Sequence, residues 1–383
     1  MRSFTRFGRR GNVVALTALS GTALVGSAAL SVDVGMLYNA RAELQSSADA
    51  AALAGAASLL DERRLSDPAS TAWMTNVRQQ ASNYAYRNVV QGVNPVLDQY
   101  ADVRIGELSD PKSLNEPIRF DDPRRFNTAE VTVHRNSTRN GPVDLIFARV
   151  FGIDNSGLQA SAAAAIFPAV GFKKTRSSDP NPGVLPLALH VNVWKDLIDH
   201  GISKVGDQYR YNPQTKTVSA GSDGIKEINL YPGSGGTQLP PGNFGTVDIG
   251  APNNSTADIS RQILHGISDS DLAYFPNGFK LNSSGYLMLN GDTGLSAGIK
   301  DELEAIKGQP RTIPLFDQVS GNGNNAMYRI VGFAGIRIVH VQLTGAMNSK
   351  SVIIQPAAVS DPTAIPGEST LTWTTMTRPQ LVR

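Results

Sequence analysis

The chain of 383 residues has no cysteine. That absence excludes disulfides, thiolate metal sites and a cysteine nucleophile. Acid is missing from the start of the chain, since no Asp or Glu precedes Asp33, and no proline precedes Pro68. Basic clustering is missing everywhere except the N-terminus, and the net charge is +2, so no nucleic-acid partner is expected. The five histidines, His134, His190, His200, His265 and His340, never fall at the spacing that places two ligands on one helix face. No Gly-x-Ser-x-Gly is present for a serine nucleophile. The run Gly233-Ser234-Gly235-Gly236 lacks the following Gly-Lys-Ser/Thr of a phosphate loop and lies among Pro232, Pro240 and Pro241, which makes it a turn. Asp248, Asp258, Asp269 and Asp271 are not at calcium-loop spacing.

What is present begins with Arg2, Arg6, Arg9 and Arg10. Val13 to Val32 then runs without one ionisable side chain. A helix of about 20 residues is about 30 Å long and spans a bilayer core. Arginines on one flank mark the cytoplasmic side, so the bulk beyond Asp33 is expected outside the cytoplasm. A cleaved secretory signal and a buried core helix compete with a retained anchor. The run is long for a signal and has no turn former before Ser27-Ala28-Ala29. Helix-favouring sequence also continues through Leu37, Ala40, Leu44, Ala48 and Ala51. The anchor therefore fits best. Within it Ala18, Thr22 and Gly26 recur every four residues, a spacing that lets two helices approach closely in lipid, although small residues simply tolerated in a marginal span explain the same pattern.

The order Arg10-Gly11-Asn12, apolar run, Val32-Asp33-Val34-Gly35, Tyr38, Ala40-Arg41-Ala42-Glu43-Leu44-Gln45 and Ala48-Asp49-Ala50-Ala51-Ala52-Leu53-Ala54-Gly55-Ala56 resembles the N-terminal segment of TadE/TadG-like proteins of Tad (Flp) pilus-assembly systems. The match covers about residues 9–57, with Gly11, Asp33, Gly35, Leu44, Gln45, Asp49 and Leu53 as its motif positions. The resemblance implies a single-span component of a bacterial tight-adherence pilus machine. Some relatives are cut like pilins, a signal that wants Glu five residues after the cleavage glycine. Leu16 follows Gly11 at that distance and Val13 follows Gly8, so processing of that kind is not expected.

Composition is globular, with 41% hydrophobic and 18% charged residues. The 36 glycines and 22 prolines favour turns and short strands. The expected fold class is α+β. A transmembrane helix continues into a long helix reaching about Leu65 and packs on a small antiparallel sheet. A mainly β extracytoplasmic domain with short helices follows. Residues 1–11 form the basic cytoplasmic start, 12–33 the span and 34–168 a pilin-like α+β module. A linker (169–183), a β-rich domain (184–360) and a tail (361–383) complete the layout. Ser70 to Val89 reads as a second helix; Val103 to Ile105, Glu130 to Arg135 and Ala160 to Phe167 read as strands. The stretch Pro142 to Gly152 resembles a family helix that closes this module. In the β-rich part Asn192 is expected to cap Val193 to His200, Ser255 or Thr256 to cap a helix ending at His265, and Ser296 to Lys307 to form a third helix. Leu371 to Trp373 reads as an edge strand. "PGNFG" (241–245) and "IVGFAGIRI" (Ile330 to Ile338) resemble the same family more loosely.

Asp292-Thr293-Gly294 after Leu287-Met288-Leu289 reads like an aspartic-protease half-site, which needs a second carboxylate about 3 Å away. No second copy exists in the sequence, and a turn or helix cap explains these residues. No catalytic, cofactor-binding or metal-ligating residue is assigned. The expected function is a non-enzymatic, inner-membrane-anchored component of a Tad pilus system, with other Tad proteins or pilin-like subunits as partners. An anchored hydrolase or ligand-binding protein and a secreted adhesin are the alternatives.

Overall fold

The computed structural model describes residues 12–67, 70–111, 113, 116–231, 243–251, 255–293, 297–346 and 349–383. Its fold is α+β: one long helix, then a mainly β region with short helices. The chain forms two compact units, and both are discontinuous in sequence. The first comprises residues up to Ala54, Arg78–Arg104 and Glu130–Ala163; the second comprises Gly55–Val77, Ile105–Ala129 and Ala164–Arg383.

Helix α1 (Asn12–Ala57) is unbroken over 46 residues. Alanine density and the absence of proline permit this length. It stops eight residues short of the expected Leu65; a turn at Ser58 to Leu60 and the four-residue α2 (Arg63–Ser66) follow. Helix α3 (Thr71–Arg87) ends before Gln91 and Gly92, both at positive φ. The strands β1 (Val103–Gly106), β2 (Thr128–Arg135), β3 (Val143–Asp144), β4 (Asn155–Ser156) and β5 (Leu158–Ala165) come next. Strand β2 alternates buried and half-buried residues, the period of a sheet with one covered face. In the first unit Thr132 donates its amide to the Asp102 carbonyl at 2.9 Å, and the hydroxyls of Thr132 and Ser161 are 2.8 Å apart. Many of its buried apolar residues are alanines, among them Ala40, Ala48, Ala51, Ala52, Ala81 and Ala85 on the helices and Ala160, Ala162 and Ala163 on β5, beside larger ones such as Leu44, Val103, Val131 and Val133. Small side chains let helix and sheet backbones pack closely.

The expected helix in Pro142 to Gly152 is not a helix of normal length. Val143 and Asp144 pair with Ser156 and Asn155, and only Ala148–Phe151 turns, as a single 3-10 turn closed by Gly152 at φ +78. The ten residues between the paired Asp144 and Asn155 are tied at both ends, and Asp33 holds the amides of Ile146, Phe147 and Ala148, so the segment turns only once.

The second unit centres on a seven-stranded sheet. Its path runs β10 (Ile228–Asn229), β16 (Ser351–Pro356), β15 (Met327–Gln342), β13 (Leu287–Thr293), β11 (Asn243–Val247). Strand β14 (Pro310–Ser320) pairs antiparallel with β15 and parallel with β7 (Leu189–His190). The 16-residue β15 is the spine, buried along most of its length because partners flank it on both edges. Gly335 is required there, since an added Cβ would lie 2.6 Å from the Ala357 carbonyl oxygen. One apolar cluster gathers Trp194, Leu197, Ile259, Ile263, Leu303, Ile313, Leu315, Ile336, Ile338 and Ile354, while Phe172, Phe279, Phe316, Tyr328 and Phe333 lie in a second.

Several expectations change. Ala169–Phe172, at the head of the expected linker, is strand β6, paired with β12 (Phe279–Lys280) and β17 (Ala364–Pro366) because Ala169 and Phe172 are buried. Helix α4 (Val191–His200) is capped by His190, not Asn192: the His190 ring Nδ1 accepts from the Asn192 amide at 3.1 Å. Helix α5 (Thr256–His265) is capped by Ser255 in a reciprocal box with Asp258. The third expected helix shrinks to a 3-10 turn (Ala297–Ile299) and α7 (Lys300–Ala305), which follows the short α6 (Asp269–Leu272); Ser296 lies outside the described residues. Leu371 to Trp373 is not a strand. Trp373 sits at φ +54 and donates its indole N–H to the Ala357 carbonyl at 3.2 Å. A hairpin of β8 (Tyr209–Asn212) with β9 (Thr217–Ala220) and the terminal β18 (Gln380–Leu381), paired with Ala164 and Ala165, complete the strands described.

Candidate membrane anchor and its junction

The candidate anchor is the first part of α1. It is long and apolar enough to cross a membrane. Val13, Val14, Leu16, Leu19, Leu24 and Val25 are exposed, although a water-soluble helix would bury them. The hydroxyls of Thr17, Thr22, Ser27 and Ser31 each donate to a carbonyl four residues earlier, at 2.7 to 2.8 Å. That satisfies these four hydroxyls within the helix, as a low-dielectric surround would require.

Ala18, Thr22 and Gly26 share one face. Ala18 and Thr22 are exposed, Gly26 is half-buried, and a Cβ added at Gly26 would meet nothing within 4 Å. Arg2, Arg6, Arg9, Arg10 and Gly11 lie outside the described residues.

At Asp33 the character of the helix changes. Asp33 is 3% exposed. Its carboxylate accepts three backbone amides from far along the chain: Ile146 and Phe147 at 2.9 Å and Ala148 at 2.7 Å. These donors open the 3-10 turn, so the carboxylate caps it from another segment. The residues that follow Asp33 on the helix are drawn into the first unit. Leu44, Ser47 and Ala48 are fully buried, and the Ser47 hydroxyl donates to the Ala85 carbonyl at 3.3 Å. The Glu43 carboxylate accepts from the amide of Gln91 at 2.7 Å. Gln45 is exposed and donates to Asp49 at 2.8 Å and to the Ser161 carbonyl at 3.3 Å; Leu53 and Asp49 are half-buried. Gly35 is exposed with open space around it.

The loop that Asp33 holds is unusual for its surface. Ile146, Phe147, Val150, Phe151 and Ile153 are all exposed, Val150 at 84% and Phe151 at 67%. Arg149 is the single charge between Asp144 and Asp154.

His134, His190 and His340 make contacts within the fold. His134 on β2 is 3.3 Å from Asp102, an acid that Arg139 also engages. His340 stacks on Tyr209 with ring centres 5.4 Å apart, and burial lowers its pKa. Asp292 and Thr293 lie in the backbone of β13, where Thr293 pairs with Asn243. A strand, not a turn before a helix, holds them. In the second unit a cavity of about 310 Å³ is lined by His190, Asn192, Ser203, Lys204, Glu227 and Asn229. Of its two lining acids, Asp196 and Glu227, the buried Glu227 is already committed. Burial pushes the Glu227 carboxyl up, while the carboxylate accepts the amides of Gln208 and Tyr209 at 2.8 to 3.1 Å.

Sequence reasoning missed Arg64. It is buried in the second unit, donates to the carbonyls of Leu59, Pro123, Arg124 and Phe126 and stacks over Trp73 at 4.6 Å. Burial brings its pKa down to about 10. No local pattern marks such a residue, because three of its four carbonyl partners lie about 60 residues away in the chain.

Two family models match the chain. One, described as Flp pilus-assembly TadE/G-like, covers residues 11–58; the other, described as Tad-like Flp pilus-assembly, covers residues 54–164. Comparison with curated proteins and with solved structures gave no match.

Proposed function

Over residues 11–164 the chain belongs to the Tad (Flp) pilus-assembly families, and from that premise we propose that it is a non-enzymatic, single-pass component of a Tad pilus system that works through protein contacts. It is anchored in the bacterial inner membrane with its arginine-rich N-terminus in the cytoplasm and its bulk in the periplasm. It acts as a minor pilin-like subunit or an assembly subunit. The observation that carries this reading is the continuity of α1, exposed and apolar before Asp33, buried in the folded unit after it. Such a helix transmits position from the bilayer to the module without a flexible joint. Ala18, Thr22 and Gly26 are the face on which a second membrane helix would seat. Leu16 and Val13, where a pilin signal wants Glu, keep the anchor uncut.

Fractionation of cells tests it. The full-length chain is expected in the inner membrane, with the C-terminal bulk protected from protease added on the cytoplasmic side. A soluble protein shortened at its N-terminus rejects the anchored reading and favours a secreted adhesin. Co-purification from native membranes should recover other pilus-assembly proteins with the intact chain but not with one lacking residues 1–32.

A further inference from the structure

We propose that the loop Leu145 to Ile153 is a second membrane contact, an apolar wedge that dips into the outer face of the bilayer beside the emerging anchor helix. The proposal rests on the anchored reading above, and it concerns a different part of the molecule. Its height is set by Asp33. That residue is the first charge after the apolar run, so it marks where α1 leaves the hydrocarbon. Three backbone amides of the loop, those of Ile146, Phe147 and Ala148, are bound to its carboxylate at 2.7 to 2.9 Å. The loop is thereby fixed at the level of the lipid headgroups.

Its chemistry suits that level. Ile146, Phe147, Val150, Phe151 and Ile153 expose apolar surface that water would penalise. The single charge inside the loop is the guanidinium of Arg149, whose side chain is 54% exposed; it lies 3.9 Å from the exposed Asp144 carboxylate, a long surface pair that leaves it able to bind phosphate while its stem lies along the apolar layer. The acids Asp144 and Asp154 stand at the ends of the loop and not at its tip. A protein partner would also bury apolar side chains. Lipid is the occupant favoured here because the loop is tethered to the one residue that marks the end of the span. Aromatic and aliphatic side chains anchored at the interface would fix the tilt and rotation of α1.

The absence of cysteine makes the experiment clean. Single variants Val150→Cys, Leu24→Cys and Ser46→Cys of the full chain are labelled with an environment-sensitive nitrobenzoxadiazole probe. They are reconstituted in vesicles of phosphatidylethanolamine and phosphatidylglycerol. Ser46 is exposed on α1 and lies about 20 Å beyond Asp33 along the axis, so it serves as the aqueous reference. Doxyl-labelled lipid is expected to quench the probes at residues 150 and 24 several-fold more than the probe at residue 46. Iodide in the buffer should show the reverse order. The wedge is refuted if residue 150 behaves like residue 46. It is equally refuted if residue 150 is shielded from both quenchers, which means that protein covers the loop. If residue 24 itself is reached by iodide and not by lipid, the anchored reading fails and the wedge with it. Phe151→Cys replaces Val150→Cys if the melting curve of the latter departs from that of the parent.

Discussion

The two parts of α1 are one rod with opposite surfaces. Before Asp33 the large apolar side chains, Val13, Val14, Leu16, Leu19, Leu24 and Val25, point into open space. After it the buried positions are mostly alanine: Ala40, Ala48, Ala51 and Ala52, with Leu44 among them. Leaving a Leu or Val in water forfeits about 1.5–3 kcal/mol of burial energy per side chain. A chain that does so repeatedly is adapted to another solvent. The alanines bury less area each, yet they allow a helix to lie close against its neighbours. Exposed hydrophobicity thus marks the candidate span, while side-chain size marks where the helix packs on protein.

The comparison breaks most visibly at Ala48. Ala48→Arg places a charge in a site with no exposure, and the expected loss is about 4 kcal/mol or more, enough to unfold the first unit. A melt in detergent that matches the parent would show that the second part of α1 is not packed. Leucine truncation sharpens the contrast. Leu44→Ala is expected to cost about 2–5 kcal/mol in chemical denaturation. Leu24→Ala should change the same transition by less than about 0.5 kcal/mol, because it touches nothing in the fold.

Asp33→Asn should act locally. The neutral amide accepts less strongly than a carboxylate and offers one oxygen where Asp33 uses two. Hydrogen exchange at the Ile146, Phe147 and Ala148 amides is expected to speed up by at least tenfold, while the melting point moves little. Unchanged exchange would mean that the loop is held by other contacts.

The smallest effect belongs to the second unit, whose ion pairs contrast with the alanine packing of the first. Burial raises the Asp271 carboxyl, but Arg261 at 2.8 Å and Ser268 outweigh it, so its pKa falls below the ordinary 3.8. A folded-state pKa lowered in this way gives stability that is present above pH 3.8 and lost as pH falls through the folded value. Asp271→Asn should therefore lower the urea midpoint near neutral pH, and the gap to the parent should close well below pH 3.8.

Much of the first unit was legible in the chain. The apolar run, the proline-free alanine-rich continuation and the alternation of Val131 and Val133 each carry a local period that a helix or strand must show. A cap at Ser255 or Thr256 was legible in the same way; the structure selects Ser255 and adds the reciprocal box with Asp258. The helix expected in Pro142 to Gly152 is mostly a loop, because a short, largely apolar segment looks alike in sequence whether it packs as a helix or hangs as a loop. The Ala169–Phe172 strand was missed because its partners, Phe279–Lys280 and Ala364–Pro366, lie more than about a hundred residues away.

By itself the sequence determined that a helix about 30 Å long has no charge, that the arginines lie on one side of it, and that it continues beyond Asp33. These are properties of consecutive residues, and local propensity and solvent transfer suffice to decide them. Only the tertiary structure decided what Asp33 does. Its three donors are 113 to 115 residues away. Closing so long a loop on one carboxylate depends on the packing of the alanine-lined unit around both ends. No window of sequence contains that information, which is why the buried Asp33, the loop it caps and the apolar surface of that loop emerge only when the chain is folded.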